Sequence, residues 1–427
     1  MKHIFVIFLL MISLHAKVQL IKKENSDSNT TLLVIAGIHG NEPGGYFAAS
    51  ILASNYTITS KNLWIVPNLN QPSIIRNRRG IYGDMNRKFA KMSKKDKDRE
   101  NIDKIKNIIL SKNISLILNL HDGHGFYRKE NKGSIFNPNA WGQTCVIDQC
   151  NLTKNQAFGN LNDIALAVKE NINKKLLKKH HSFNVKNTNT KYDDEAMQLS
   201  LTYFSVTNNK PAFAIETSKN LSTLTQKVFY QLLAIEEYMK IMGISFIRNF
   251  NLNEKEISKI INNYGTLSIN NNISLNLSNI KKSLSYFPIK SNNNTFKFSN
   301  VLGDVRKTRG QYKVYIGNKH ITTLKPQYFK LSTKCQGKFD FIIDGKKTSV
   351  SNASEIYVNA DFKVTKDRRY RVNVIGYHSK LKGDESNVTI SLKNLNKNYS
   401  IDKQNKVYRV EFYIKDEFCS MIMVHFK

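Results

Sequence analysis

The chain has 427 residues, of which 41% are hydrophobic and 23% are charged, and its formal net charge at pH 7 is +32. This length predicts two or three domains, each with ample material for a core, which excludes a chain without folded structure. The excess of Lys and Arg could serve nucleic acid, but no RNA-binding signature accompanies it. Anionic envelope polymers or acidic peptides are therefore the better partners.

An export signal is expected at residues 1–16. Lys2 and His3 form a short basic region, Ile4–Leu14 is apolar, and Ala16 is a small residue suited to cleavage. The apolar run of roughly eleven residues falls short of the ~20 needed to cross a bilayer. We expect no membrane span there or later, and an exported mature protein. Export also argues against a nucleic-acid partner.

Strand and helix patterns alternate within residues 17–249. Four short apolar runs are predicted strands: Thr31–Gly37, Leu63–Pro67, Ile114–Leu120 and Ala212–Thr217. Four longer runs are predicted helices: Gly45–Ser54, Arg99–Ser111, Ala157–Leu177 and Leu221–Met242. This rhythm predicts an α/β domain with a parallel or mixed sheet flanked by helices. Sites in such sheets form beyond the carboxyl ends of the strands.

The pattern changes near Asn249. Leu252–Gly265 is predicted to contain one short helix with Asn253 as its N-cap. The rest of residues 250–327 consists of short β-like runs between asparagine clusters, which indicates a small β domain. Residues 328–427 are predicted to form an immunoglobulin-like β-sandwich. Its expected strands are Lys338–Ile343, Ser354–Val358, Tyr370–Gly376, Val388–Leu392, Val407–Ile414 and Met421–Phe426.

Four cysteines fit an oxidising compartment. Cys145 and Cys150 enclose a short loop in which they could pair locally, whereas Cys335 and Cys419 lie near the two ends of the last domain. We expect two disulfides, although four cysteines permit three pairings.

Two predicted strands end on potential metal ligands. His39-Gly-Asn-Glu42 follows the first strand, between glycines, and His121 ends the third. Two histidines and a glutamate predict an open zinc site with a position left for water, whose pKa such a zinc lowers to about 7. The alternative is two independently hydrogen-bonded histidines. The other histidines of this domain are expected to line the pocket (His124) or to be solvated (His180 and His181).

A carboxylate and two cations complete the candidate chemistry. Glu216 ends an otherwise apolar strand, which suits a general base; the alternative is a salt-bridged structural glutamate. Arg79 and the run Asp84-Met-Asn86-Arg87 follow the second strand. Guanidinium groups bind carboxylates in bidentate fashion, so one arginine can hold an oxyanion and another can clamp a terminal carboxylate. Arg76 and Arg78 are expected to be surface residues.

His39-x-x-Glu42, Asn86-Arg87, His121 and Glu216, in this order, resemble the zinc carboxypeptidases of the M14 (carboxypeptidase A-like) family. Longer runs resemble the peptidoglycan carboxypeptidases that determine cell shape in helical bacteria. Those enzymes are periplasmic and carry two β domains after the catalytic domain, so the resemblance covers nearly the whole mature chain. The runs are Gly37-Ile-His-Gly-Asn-Glu-Pro-Gly-Gly45, Asn119-Leu-His-Asp-Gly-His-Gly-Phe-Tyr-Arg128 and Ala214-Ile-Glu-Thr-Ser218.

The resemblance implies a periplasmic DL-carboxypeptidase that trims the muropeptide tripeptide to a dipeptide by cutting the bond between γ-D-glutamate and meso-diaminopimelate. In that group a glutamine occupies the first ligand position, whereas this chain has the usual M14 histidine, which favours firm zinc binding. Tyr192 and Tyr203 are both candidates for the family's pocket tyrosine. The implied roles are one zinc held by His39, Glu42 and His121, general base for Glu216, oxyanion or carboxylate contact for Arg79, carboxylate clamp for Asn86 and Arg87, pocket wall for Trp141 and substrate contact for Thr202.

Two other functions stay open. An N-acyl amino acid amidohydrolase of the desuccinylase and aspartoacylase type shares the HGNE run, a later His and a catalytic Glu, but that group is cytoplasmic and lacks the two β domains. A non-catalytic wall-binding protein is the second alternative, and the complete set of ligands, base and arginines argues against it. The two β domains are candidates for contacts with other envelope proteins.

Overall fold

The computed structural model describes residues 18–25, 28–154, 156–378 and 383–427. The predicted export signal at residues 1–16 lies outside the described residues. The chain divides into two compact units, one reaching up to Ala49 and continuing over Thr57–Ile247, the other comprising Ser50–Tyr56 and Arg248–Lys427. The domain limits expected from the sequence stay predictions.

The first unit is an α/β domain. Its strands are β1 (Ile21–Lys23), β2 (Thr31–Ala36), β3 (Tyr56–Ile58), β4 (Asn62–Val66), β5 (Ile114–Gly123), β6 (Phe126–Tyr127), β7 (Phe136–Asn137), β8 (Thr144–Ile147), β9 (Asn184–Asn187), β10 (Ala212–Ser218) and β11 (Phe246–Arg248). Its helices are α1 (Pro43–Asn55), α2 (Gln71–Ile75), α3 (Arg99–Ile109), α4 (Leu161–Asn173), α5 (Thr190–Asp193), α6 (Leu201–Thr207) and α7 (Leu224–Ile241).

Seven strands form one mixed sheet in the order β1-β4-β2-β5-β10-β8-β9. The four central strands, β4, β2, β5 and β10, are mutually parallel, and they are the four strands predicted from the sequence. The strands β1 and β8 pair antiparallel with β4 and β10. A strand covered on both faces needs a continuous apolar run, and β2 is accordingly buried at every position. The predicted fold class is confirmed.

The helices bury one face each or lie deep in the unit. α3 buries Ile102, Ile105 and Ile109, a helical spacing that places all three on one side. α4 is shorter than the predicted Ala157–Leu177, because the chain before Leu161 takes turns. No helix in the described part of the chain has both the length and the apolar character needed to cross a bilayer.

The second unit begins with α8 (Glu254–Asn262), where the predicted cap is confirmed: the Asn253 side chain accepts a hydrogen bond of 2.9 Å from the Glu256 backbone N–H. Two small sheets follow, in the orders β13-β12-β15 and β14-β18-β17-β16. Their strands are β12 (Thr266–Ile269), β13 (Ile273–Asn276), β14 (Ser283–Ile289), β15 (Phe296–Phe298), β16 (Gly303–Thr308), β17 (Gln311–Ile316) and β18 (Lys319–Tyr328).

The C-terminal part is a two-sheet sandwich with orders β20-β19-β22-β24 and β21-β26-β25-β23. Side chains of both sheets share one core, in which the rings of Phe339 and Phe412 stack 3.9 Å apart. The strands are β19 (Lys338–Ile343), β20 (Lys346–Ser351), β21 (Glu355–Val358), β22 (Asp361–Val364), β23 (Arg371–Val374), β24 (Ile390–Ser391), β25 (Val407–Ile414) and β26 (Glu417–Phe426).

The sandwich carries a disulfide between Cys335 and Cys419. Cys145 and Cys150 are both free thiols, so the expectation of two disulfides was wrong. Cys145 lies on β8 with its side chain in the core, where it bonds the Tyr238 hydroxyl, whereas Cys150 is exposed. The short loop between them therefore does not bring the two sulfur atoms together.

Candidate metal centre and active site

The turn between β2 and α1 places the first two predicted ligands. Gly37 has a φ of +73°, a left-handed conformation that favours glycine. At Gly40, a Cβ atom would lie 2.0 Å from the backbone carbon of Ser73. The turn thus packs against the start of α2 without side chains at these positions, and His39 and Glu42 are directed inward.

His39, Glu42 and His121 form a buried cluster whose potential ligand atoms all lie within 4.8 Å of one another. The Nδ1 atom of His39 is 3.0 Å from Glu42 Oε1, and the Nδ1 atom of His121 is 2.8 Å from Glu42 Oε2. The three predicted ligands are therefore brought together in an arrangement compatible with one metal ion.

The charges of this cluster depend on each other. Burial alone would raise the pKa of Glu42, but His39 and His121 outweigh it and hold that pKa well below its usual range. Burial would also lower the pKa of His39, yet Glu42 and Asp84 raise it overall. A pocket that stabilises a carboxylate between two imidazoles also suits a cation bound by all three.

Asp84 orients the first ligand, a role that the sequence did not reveal. Its Oδ1 atom lies 2.8 Å from His39 Nε2, and its Oδ2 atom accepts a 2.8 Å hydrogen bond from Arg79 Nε. With Nε2 occupied, Nδ1 is the nitrogen left for a metal, which is the usual division of a ligating histidine. On the other side, Gln231 Nε2 donates to the His121 carbonyl oxygen at 2.7 Å.

Asp122 ties together the three segments that carry the site. It is buried directly after His121, and its carboxylate accepts from Gly44 N–H at 2.9 Å and from the Thr217 hydroxyl at 2.5 Å. Burial raises the pKa of Asp122. The turn before α1 and the ends of β5 and β10 are thereby held in one arrangement.

Glu216 is the neighbour of His121 across the parallel pair β5–β10. Its carboxylate faces the cavity that contains the metal-binding cluster. Burial, with smaller contributions from Glu42 and Asp122, raises the pKa of Glu216 to about 7, although His121 opposes the shift. A carboxylate with a pKa near neutrality can both accept and release a proton, as a general base and acid must.

Three further predicted residues line the same cavity. Arg79 reaches Glu42 Oε1 at 3.4 Å and is about half exposed. The Asn86 amide oxygen accepts from Leu201 N–H at 3.0 Å, which leaves its NH₂ group for a ligand, and Arg87 Nη1 donates to the Asn86 carbonyl. Arg76 and Arg78 are exposed, as expected.

The cavity, of about 220 Å³, also contains Trp141, Thr202 and the predicted pocket residue His124 in its lining. The Thr202 hydroxyl bonds the buried carboxylate of Asp148. Neither tyrosine candidate is among the lining residues, and Tyr192 is 73% exposed.

The expectation that His181 is solvated was wrong. Its Nδ1 atom lies 3.0 Å from the Tyr230 hydroxyl, and its ring stacks on Phe126. Burial lowers the pKa of His181 to about 4, so it is a neutral core residue. His180, next to it, is exposed as predicted.

Sequence reasoning gave no role to three residues of this region: Asp84, Asp122 and Lys219. Two signals were available, because Asp84 is part of the run that contains Asn86, and Asp122 follows a ligand at a strand end. Lys219 follows Glu216 by three positions and lines the cavity, with its Nζ atom 3.4 Å from Glu42 Oε1.

Comparison with known proteins agrees with this geometry. The profile of peptidase family M99, described as the catalytic part of a carboxypeptidase controlling helical cell shape, matches residues 1–262. The profile of a C-terminal domain of metallo-carboxypeptidase matches residues 332–427. No curated protein matches the chain.

Solved structures of the cell shape determinant protein Csd4 from Helicobacter pylori are similar over nearly the whole chain. The apo form is 35% identical, with a TM-score of 0.90, and the match covers 96% of this chain and 100% of that one. The mDAP-bound form, described as a D,L-carboxypeptidase, is 35% identical with a TM-score of 0.90 over 95% and 100% of the two chains. The tripeptide-bound form gives 35%, 0.90, 96% and 100%.

The family profile covers more than half of the chain and includes every predicted ligand, base and arginine. The chain therefore belongs to peptidase family M99, the metallo-carboxypeptidases that control helical cell shape.

Proposed function

We propose that the protein is a zinc-dependent peptidoglycan DL-carboxypeptidase of the periplasm that sets cell shape. Its substrate would be the muropeptide tripeptide, and the bond cut would join γ-D-glutamate to the L centre of meso-diaminopimelate, leaving a dipeptide. The observation that carries the proposal is the meeting of the metal-binding cluster, Glu216 and fixed cations in one cavity. The mDAP-bound and tripeptide-bound relatives support this substrate.

Zinc is the metal that best fits the donor set. Two imidazole nitrogens and one carboxylate oxygen are the ligand types and number of catalytic zinc sites, which keep a position open for water. His39, Glu42 and His121 are buried and close together, and Asp84 orients His39. When bound, zinc would polarise the scissile carbonyl and lower the pKa of water.

The protein groups divide the remaining work. The Glu216 carboxylate would take a proton from the attacking water and pass it to the amine nitrogen of the departing diaminopimelate. The Arg79 guanidinium would donate to the developing oxyanion. Asn86 and Arg87 would hold the terminal carboxylate, while Trp141 and Thr202 would bound the leaving residue.

The periplasm is the compartment in which the parts of this proposal agree. Residues 1–16 have the pattern of an export signal, and the substrate belongs to the cell wall. The Cys335–Cys419 disulfide fits an oxidising compartment.

The test is hydrolysis of purified muropeptide tripeptide by the zinc-loaded mature protein, followed by chromatography and mass spectrometry. Dipeptide and diaminopimelate should appear in equal amounts. Glu216→Gln should lower kcat by about 10²- to 10⁴-fold while the protein still binds one zinc, and Glu170→Gln, an exposed residue of α4, should have no effect.

Two outcomes would contradict the proposal. Full activity of Glu216→Gln would overturn the mechanism. An intact tripeptide, together with hydrolysis of N-acyl amino acids, would instead identify an amidohydrolase.

A further inference from the structure

The γ linkage of the proposed substrate sets a recognition problem that the metal ligands and Glu216 do not solve, and its solution rests on the proposed function. Because D-glutamate is joined through its side-chain carboxyl, its α-carboxylate stays free on the acyl side of the scissile bond. An ordinary α-linked peptide has no anion at that point. A cation placed there would therefore distinguish the γ linkage from the α linkage.

Among the described residues that line the cavity, three carry a permanent positive charge: Arg79, Arg87 and Lys219. Arg79 is held by Asp84 and is proposed to contact the oxyanion. Arg87, with Asn86, is proposed to hold the terminal carboxylate on the leaving side. Lys219 is the remaining cation, and neither of these two tasks needs it.

Lys219 combines a fixed backbone with a mobile ammonium group. Its N–H donates to the Gly123 carbonyl at 2.7 Å, which fixes the chain where β5 and β10 end. The side chain is 35% exposed, and its contact with Glu42 Oε1, at 3.4 Å, is long for a charged pair. Glu42 has three other partners in His39, His121 and Arg79. A flexible four-carbon stem lets such an ammonium group turn to a new anion.

We infer that Lys219 binds the free α-carboxylate of the γ-linked D-glutamate and thereby makes the site selective for this linkage. The ammonium group lies beside a metal ligand, and so near the reacting carbonyl. The α-carboxylate is separated from that carbonyl only by the glutamate methylene and α carbons, a short reach for a lysine side chain.

The test combines a change in the protein with a change in the substrate. Lys219→Met should lower kcat/KM for the natural tripeptide by about 10- to 100-fold, the usual range for a hydrogen bond to a charged group. A tripeptide with the glutamate α-carboxylate amidated should be cleaved more slowly by the wild-type protein, by a similar factor. Lys219→Met should not slow cleavage of the amidated peptide further, and Lys219→Arg should recover part of the loss.

Two controls keep the result specific. Lys112→Met removes an exposed lysine directly before β5, at the opposite end of that strand from the site, and should change nothing. A second tripeptide, amidated on the D-centre carboxylate of diaminopimelate, should remain sensitive to Lys219→Met. Loss of sensitivity with this peptide, or an equal loss with all three peptides, would overturn the inference.

Binding gives a readout that does not depend on turnover. In a Glu216→Gln background, Lys219→Met should weaken binding of the intact tripeptide by the same factor and leave binding of the glutamate-amidated peptide unchanged. If the wild-type protein cleaves none of the peptides, the proposed function is wrong. The titration would still decide about Lys219, because equal dissociation constants with and without its charge would overturn the inference.

Discussion

Asp84 is the residue through which the loop after β4 acts on the metal-binding cluster. Asp84→Asn keeps the size of the side chain but removes the charge that faces His39 Nε2 and Arg79 Nε. Because such partners orient the ligand and raise its basicity, we expect metal affinity to fall by about 10- to 100-fold.

Competition with a chelator of known affinity measures this change. Excess zinc should restore much of the lost activity, since the catalytic groups are intact. Asp163→Asn, at an exposed position of α4, is the matched control. An unchanged zinc affinity in Asp84→Asn would show that the contact is not needed to orient His39.

Asp148 predicts a dependence of stability on pH. Burial raises its pKa to about 6, although hydroxyl groups of Thr190 and Thr202 oppose the shift. The folded state therefore holds this proton more tightly than the unfolded state, so the stability contribution is favourable at low pH and is lost as pH rises from about 4 to 6.

The Asp148→Asn variant keeps a carbonyl oxygen for both hydroxyl groups and cannot ionise. At pH 7.5 it should be more stable than the wild type by roughly 1–3 kcal/mol, and at pH 4 the two should be similar. Urea unfolding at both pH values measures the difference. Equal stability at pH 7.5 would show that the buried carboxyl has an ordinary pKa.

At the level of elements, the turn between β2 and α1 depends on close backbone approach. A methyl group at Gly40 would lie 2.0 Å from the backbone carbon and oxygen of Ser73, atoms that cannot turn away as a side chain can. We expect Gly40→Ala to destabilise the first unit by about 1–3 kcal/mol and to reduce its zinc content. Gly337→Ala, where nothing lies within 4 Å, should be nearly neutral in urea unfolding; equal effects would contradict the packing argument.

The central elements could be predicted because burial on both faces leaves continuous apolar runs, as in β2 and β10. Shorter or more polar elements gave no such signal. β9 reads Asn184-Val-Lys-Asn187 and β20 reads Lys346-Lys-Thr-Ser-Val-Ser351, and both were missed. Polar strands of this kind form because a neighbour supplies the hydrogen-bond ladder, which composition does not record.

The site could be predicted as far as each residue stands at the end of a recognisable element. His39, His121 and Glu216 satisfy that condition. The contact between Asp84 and His39 joins residues 45 positions apart, and the burial of His181 depends on Tyr230 from α7. Such contacts are set by the packing of distant segments, so local pattern could not reveal them.

For the whole molecule, the Cys335–Cys419 disulfide closes a loop of 84 residues within the second unit. Replacing both cysteines with serine should cost that unit about 2–4 kcal/mol. The two tryptophans of the chain, Trp64 and Trp141, both belong to the first unit. In urea, the tryptophan fluorescence transition should therefore stay in place while the transition of the β-rich unit, followed by circular dichroism, moves to lower denaturant. A shift of both transitions would contradict separate unfolding.

The pairing of His121 with Glu216 across β5 and β10 has a consequence for how the enzyme can fail. Side chains alternate between the faces of a sheet, so a slip of one residue between these strands would turn a whole row away from its partner row. Ligand and base would then be separated in a single step, with no partly assembled intermediate that retains slow turnover. In a partly damaged or misfolded population, activity should thus count the molecules with correct strand alignment, and each of those should work at full speed.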